Sequence, residues 1–339
     1  MNIEFLIEHN QKLYSPVLDG GITWSTDRKG SPGQLEFTVV KDNSVNSGEY
    51  DDLDFTEGDC VRLAVDGVNV FYGFVFTKKR NKNGTISVTA YDQLRYFKNK
   101  DTYVYEDKTA SEVIQMIVDD HFRINKDDLE EEPVVNVGII EDTKFKIPSR
   151  VEENTSLFDI VQNALDLTLQ NQGKMFVLYD DCGKITLKDI ENMKVDVLID
   201  EETAEDFDYS SSIDSNTYNR IKLTYDNDKT GTREVYMAQH GENINRWGVL
   251  QFFDTLKEDE DGQAKADALL SLYNQKTRNL SIKNAFGDIR IRGGSLIPVI
   301  LNLGDMKLQN YMLVEKCKHE FKDGVHLMNL TLQGGEFIA

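Results

Sequence analysis

The sequence predicts a β-rich α+β protein: two antiparallel β-barrels, residues 1–100 and 204–339, flank an α+β insertion at residues 101–203. Three observations predict it. Apolar and polar residues alternate with period two over the first hundred positions, as in strands with one buried face. Two capped helix starts follow, at Thr109 and Ser156. Period-two patterning then returns near residue 204, with a single helical interruption.

In the first segment Leu35, Phe37 and Val39 alternate with polar neighbours, as do Val61, Leu63 and Val65, and then Ile86, Val88 and Ala90. Asp19-Gly20-Gly21, Ser31-Pro32-Gly33, Asp66-Gly67 and Asn83-Gly84 separate these runs. Asn-Gly and Asp-Gly supply the positive φ that tight hairpins demand.

In the second segment Thr109-Ala-Ser-Glu112 is a capping-box pattern, followed by Ala110, Val113, Ile114 and Ile117 at helical spacing. Ser156-Leu-Phe-Asp159 repeats the capping logic, and Leu157, Ile160, Val161, Ala164, Leu165 and Thr168 form one stripe. An acidic loop, Asp127-Asp-Leu-Glu-Glu-Glu132, lies between these helices. A hairpin is expected from Met175–Tyr179 and Lys184–Leu187 across Asp180-Asp-Cys-Gly183.

In the third segment Ile221, Leu223 and Tyr225 alternate before the turn Asp226-Asn-Asp-Lys-Thr-Gly231. Ala266, Leu269, Leu270 and Tyr273 predict a helix over about 263–275. Strands are expected at Leu280–Ile282, Ile289–Ile291, Leu296–Leu301, Tyr311–Val314 and His326–Leu332. The barrels share a layout, either as related units or as any two antiparallel barrels would. Glu57-Gly-Asp, a strand, Val70-Phe-Tyr-Gly-Phe-Val and Thr85–Ala90 echo Arg292-Gly-Gly, a strand, Tyr311–Val314 and Val325–Leu330.

Composition excludes several function classes. Hydrophobic residues make up 40% of the 339, enough for real cores, so global disorder is excluded. Asp+Glu number 59 against Lys+Arg 38, a net charge of −21. A protein that grips DNA by its phosphates needs basic patches. The nearest here is Thr77-Lys-Lys-Arg-Asn-Lys-Asn-Gly84, which also reads as a hairpin tip, so no sequence-specific nucleic-acid binding is expected. The acidity serves solubility, or a pore that must not hold passing DNA. Cys60, Cys182 and Cys317 are an odd count without a CxxC pair, so no disulfide framework is expected; Cys60 and Cys317 read as buried free thiols. No apolar run is long enough to span a membrane, and the opening Met-Asn-Ile-Glu-Phe-Leu-Ile-Glu-His lacks the build of a secretory signal.

Candidate chemistry is sparse. There is no GxxxxGK[ST], GxSxG, HExxH or GxGxxG, and His9, His121, His240, His319 and His326 show no metal-ligand spacing on one helix. Cys317 and His319 point to the same face of a strand; without a nucleophile-bearing helix they read as a buried thiol and a surface imidazole. Glu258-Asp-Glu-Asp-Gly262 resembles a calcium loop, but the position of the bidentate Glu is Ala268, so it reads as a solvated loop. Trp24, Trp247 and Phe252-Phe253 would suit a sugar platform, but buried or interface aromatics are the commoner case. No catalytic, cofactor-binding or metal residue is assigned, no cofactor is expected, and the chain reads as a non-enzyme.

Glu57-Gly-Asp, Asp66-Gly67, Val70-Phe-Tyr-Gly-Phe-Val and Val88-Thr-Ala-Tyr-Asp-Gln-Leu-Arg-Tyr96 together resemble a tail-protein signature. Ser156-Leu-Phe-Asp-Ile-Val, Gly173-Lys-Met-Phe-Val-Leu-Tyr179, Asn219-Arg-Ile-Lys-Leu223 and the segment Tyr311–Leu330 extend the likeness to nearly the whole chain. The sequence is similar to the XkdQ/YqbQ family of defective prophages and, more distantly, to late control protein D and the trimeric central hub of myovirus baseplates. That resemblance implies tube-type barrels and a structural baseplate hub of a contractile phage tail or phage-tail-like bacteriocin. It implies a homotrimer between the sixfold tail tube and the threefold central spike, touching other baseplate components. No catalytic residue is carried over, and no room is expected after the last strand for a fused peptidoglycan hydrolase. Synthesis in the bacterial cytoplasm and release by lysis, in a virion baseplate or an extracellular particle, are expected. The alternative is a cell-wall-degrading or glycan-binding protein of the tail tip, resting on the aromatics and carboxylates.

Overall fold

The computed structural model describes residues 1–40, 53–82, 84–120, 122–124, 131–133, 136–227, 231–256, 261–302 and 307–334. Residues 127–130 of the acidic loop, Asn83, His121, the middle of the 226–231 turn and Glu258–Glu260 lie outside the described residues.

Seven strands open the chain: β1 (Ile3–His9), β2 (Lys12–Tyr14), β3 (Ile22–Asp27), β4 (Gln34–Val40), β5 (Cys60–Val65), β6 (Val68–Arg80) and β7 (Thr85–Tyr91). They lie in the order β3-β4-β7-β6-β5-β1-β2, all antiparallel. The alternating apolar residues of β4, β5 and β7 meet Phe5, Ile7, Ile22 and Trp24 in one core. Asp66 and Gly67 join β5 to β6 with φ of 50° and 80°, the left-handed geometry of a two-residue hairpin.

The next segment holds β8 (Lys100–Tyr105), α1 (Ala110–Asp119), β9 (Phe122–Ile124), β10 (Glu131–Pro133), β11 (Val137–Ile140), β12 (Arg150–Ser156), α2 (Leu157–Gln172), β13 (Phe176–Asp180) and β14 (Ile185–Asp189). The capping box at Thr109 is formed: its hydroxyl accepts from the Glu112 N–H at 3.2 Å, and its own N–H donates to Glu112 Oε2 at 2.7 Å. Ser156 accepts from the Asp159 N–H at 3.2 Å, and α2 stops at Gly173, whose φ of 66° costs a glycine little. The apolar stripes of α1 and α2 bury against Tyr103, Tyr105, Ile185 and Leu187 in a second core.

The remainder holds β15 (Asp206–Ser212), β16 (Arg220–Asn227), β17 (Thr232–Gln239), α3 (Gly241–Trp247), β18 (Gln251–Thr255), α4 (Gly262–Tyr273), β19 (Thr277–Phe286), β20 (Leu296–Asn302), β21 (Lys307–Lys322) and β22 (Val325–Gly334). β15, β19, β22 and β21 lie side by side with β20 on the far edge of β21, around a third core of Leu280, Ile282, Val299, Val314, Cys317 and Leu330. Residues 194–199 run alongside β20 through bridges at Lys194–Leu296 and Ile199–Val299. Ser212 faces Thr277 in the β15–β19 register, so everything between is an excursion that leaves and rejoins the sheet at one point. The excursion folds as its own sheet, β17-β16-β18, with α4 packed on Ile221, Leu223 and Ala238.

The two outer sets of strands are one sheet. The second half of β21 pairs with β3, from Lys316↔Asp27 to Phe321↔Ile22, while its first half pairs with β20. Among the described residues no ladder between the named strands closes either set into a ring. The strand expected at Ile289–Ile291 is a turn: Asp288 accepts from the Arg290 N–H through its side chain and from the Ile291 N–H through its carbonyl. A short Asp two residues ahead offers the backbone this local alternative to a ladder. No helix among the described residues is long and apolar enough to cross a membrane.

Candidate functional site

Where β21 passes between the two cores its inward side chains change character. Val314 and Cys317 belong to the third core and Phe321 to the first, with His319 between them, wholly buried and stacked on Trp24 at 4.7 Å. The sequence reading placed this imidazole at the surface. It is buried because the two-residue spacing puts Cys317, His319 and Phe321 on one face, and β21 is an interior strand between β3 and β22. His319 Nε2 lies 2.8 Å from the Ile291 carbonyl oxygen, which only accepts, so Nε2 carries the proton. Nδ1 therefore accepts from His326 Nε2 at 2.9 Å.

Cys317 Sγ sits 3.0 Å from the same protonated Nε2, so the imidazole has no lone pair there to take a thiol proton. Burial pushes the Cys317 thiol up and the His319 imidazole down from 6.5 to about 3, the latter helped by the charges of His326 and Arg292. A nucleophilic pair needs the opposite shifts, a stable thiolate and a proton-accepting base. The pair instead fills the seam between β3 and β21.

A second buried polar group ties this seam to the middle segment. Asp92 accepts from the Gly33 N–H at 2.8 Å and the Leu94 N–H at 3.0 Å. Asp180 accepts from the backbone and side-chain N–H of Gln93 at 3.2 and 3.1 Å. Arg292 donates to the Asp180 carbonyl at 2.8 Å and lies 4.2 Å over the Tyr179 ring. Burial raises both carboxyls, Asp92 well above its usual range, and the nearby Asp180 charge adds to the rise at Asp92. Gly293 permits the approach: a Cβ there would lie 2.5 Å from the Asp27 backbone. At the same corner Arg28 grips both oxygens of Glu315 at 3.0 Å. None of these residues was singled out from sequence as a site, although Arg292-Gly-Gly and the Asp92 cap two residues before Leu94 were visible signals.

The middle segment covers the opposite face at Leu296 and Leu313, but two rows across the sheet are hydrophilic and uncovered among the described residues. The registers align Asp208, Ser281, Thr331, Lys316 and Asp27 in one row across β15, β19, β22, β21 and β3. Another row runs Glu320, Thr23, Glu36, Thr89 and Thr77 across β21, β3, β4, β7 and β6. Three of its lysines are matched by acids: Lys316–Asp27 at 3.3 Å, Lys318–Glu320 at 2.7 Å and Lys283–Asp206 at 2.9 Å.

The other residues drawn from sequence are dispersed. Trp24 is core, Phe252 packs under α4, and Phe253 is exposed, so these aromatics form no common platform. Cys60 is half-buried rather than buried, because it opens β5 beside Arg62 and Tyr72. His9 meets Asp59 at 2.8 Å, and His240 accepts from the Asn243 N–H at the start of α3. Asp261, at the end of the acidic run, caps α4 by accepting from the Ala264 N–H. Among the described residues no group of three His, Cys, Asp or Glu is placed to hold a metal ion.

A family model described as YQBQ-like matches residues 22–333, from the first residue of β3 to the penultimate residue of β22. The chain belongs to the YQBQ-like family. It is 28% identical over 311 residues to the phage-like element PBSX protein XkdQ of Bacillus subtilis (strain 168), covering 90% of this chain and 89% of that protein. Its fold is similar to that of the prophage MuSo2 43 kDa tail protein from Shewanella oneidensis, with a TM-score of 0.67, 12% identity and 99% of both chains covered. It is also similar to the E. coli c3393 protein, a component of the type VI secretion system, with a TM-score of 0.56, 9% identity, and 99% of this chain and 78% of that one covered. The family is thus YQBQ-like, and the fold is one shared with a prophage tail protein.

Proposed function

We propose that the chain is a structural hub of the baseplate of a contractile phage tail or tail-like particle: a homotrimer joining the sixfold tail tube to the threefold central spike. One observation carries this reading. A single chain holds two strand-built units in one continuous sheet, joined through β21, and hydrophilic rows left uncovered by the other described residues cross both units on one face. Three such chains offer six similar units, which matches a sixfold tube on one side and a threefold partner on the other.

In this reading residues 1–100 and 204–339 are the two tube-like units and residues 101–203 the insertion. The uncovered face turns to the axis. Three of its lysines already hold an acid partner, which weakens the grip this face has on a phosphate backbone. The tube, the spike and other baseplate components are the partners, and the role is not enzymatic. Electron microscopy of the intact particle tests the reading: three copies in one axial ring between tube and spike are expected, and six copies, a dimer or a peripheral position would overturn it. Clearing of peptidoglycan by the purified chain would count for the wall-degrading alternative.

A further inference from the structure

Among the described residues, the excursion between Ser212 and Thr277 leaves one face of its small sheet bare. α4 takes the face that carries Ile221, Leu223 and Ala238. On the other face Met237, Lys222 and Phe253 stand in one row, and Val235, Thr224 and Thr255 in the next. Met237 and Val235 are each 49% exposed and Phe253 is 56% exposed, so three large apolar side chains lie together in solvent around a lysine. Arg220 continues the central strand beyond Lys222. Among the described residues the acid on this face is Asp226, held by Arg233 at 2.9 Å. The face is therefore apolar and cationic, on a chain of net charge −21.

We propose that this face docks on a carboxylate-bearing surface of a second copy of this chain, as a head-to-tail contact. The argument is charge. The strongly acidic remainder of the chain supplies the complementary surface, whereas pairing the face with itself would set Lys222 and Arg220 against their own equivalents. A patch that is not self-complementary gives a heterologous contact, and a heterologous contact whose rotation closes makes a ring. Three strands about 4.8 Å apart and five residues of about 3.3 Å rise make a face of roughly 240 Å2. That is under a third of the roughly 800 Å2 that each partner buries in a standard interface. The contact is weak alone and holds when other contacts of the ring act with it. The inference rests on the trimer proposed above and names one of its contacts.

Photo-crosslinking of the purified full-length chain at high concentration tests it, with p-benzoylphenylalanine replacing Met237 in one sample and Ser210, on the edge strand β15, in another. From position 237 the expected product joins a second copy at an Asp/Glu-rich segment. Its yield should fall roughly tenfold with Lys222→Glu, a change of about 1.4 kcal/mol, and also fall at high salt. A product joining 237 to 237, or none from 237 while 210 gives one, overturns the docking face and leaves the ring standing. No self-product from either position overturns both.

Discussion

Replacing His319 by glutamine should remove a specific part of the acid sensitivity of this protein. Glutamine can still donate to the Ile291 carbonyl and accept from His326, so it keeps both hydrogen bonds of the imidazole and loses its titration. Burial lowers the folded imidazole from 6.5 to about 3, below its unfolded value. The unfolded chain therefore binds more protons below pH 6.5. The stability from the neutral imidazole is fully present above that pH and drains away as pH falls toward the folded value. The slope is about 1.4 kcal/mol per pH unit, and the integrated loss between pH 7.5 and 5 is about 2 kcal/mol. Asp92 and Asp180, with raised folded values, act with the opposite sign, so the wild-type profile alone mixes the two. The difference between wild type and His319→Gln isolates the imidazole. Urea unfolding followed by tryptophan fluorescence, with Trp24 as a reporter stacked on residue 319, measures it at several pH values. A difference that stays constant from pH 7.5 to 5 would refute the reasoning.

Phe321→Ala should cost about 3–5 kcal/mol, because it opens a cavity in the first core from a strand at the other end of the chain; urea unfolding measures the loss. Thr109→Ala should cost about 1 kcal/mol by dismantling the capping box of α1, seen as a lower unfolding midpoint with little change in circular dichroism. Asp92→Asn should gain stability relative to wild type as pH rises from 4 to 7, since the wild-type carboxyl is held above its usual range and resists ionising; parallel denaturant series at both pH values check the sign.

The local elements were legible because their causes are local. Thr109 and Ser156 fix helix starts within a few residues of chain, and Asp66-Gly67 fixes a hairpin within two. The alternation in β4, β5 and β7 reports one buried face whatever lies across it. The seam was not legible, since nothing near Ile22 marks Phe321 as its neighbour, and a strand edge carries no partner's address. His319 was misplaced for the same reason: an isolated strand gives the face of a side chain but not whether the strand is interior. The Ile289–Ile291 turn was missed because Ile-Arg-Ile alternates as a short strand would, while Asp288 offers a local backbone bond instead. The Asp92–Asp180–Arg292 group joins three segments far apart in sequence, so only its Gly-Gly and cap signals were present in the chain.

The pairing of Asp27 with Lys316 spans 289 residues, and this has a consequence in time. At about 5–20 residues per second, a ribosome delivers the partner of β3 roughly 15–60 s after β3 itself. Throughout that interval β3 has one edge open, on a unit whose remaining strands are already available to pair. An open edge is a template for another chain as readily as for its own. Slow elongation or crowded polysomes should therefore divert nascent chains into aggregates through β3. A chain interrupted before Lys316 should remain in that state, lacking both the strand that covers the edge and Phe321, which completes the first core.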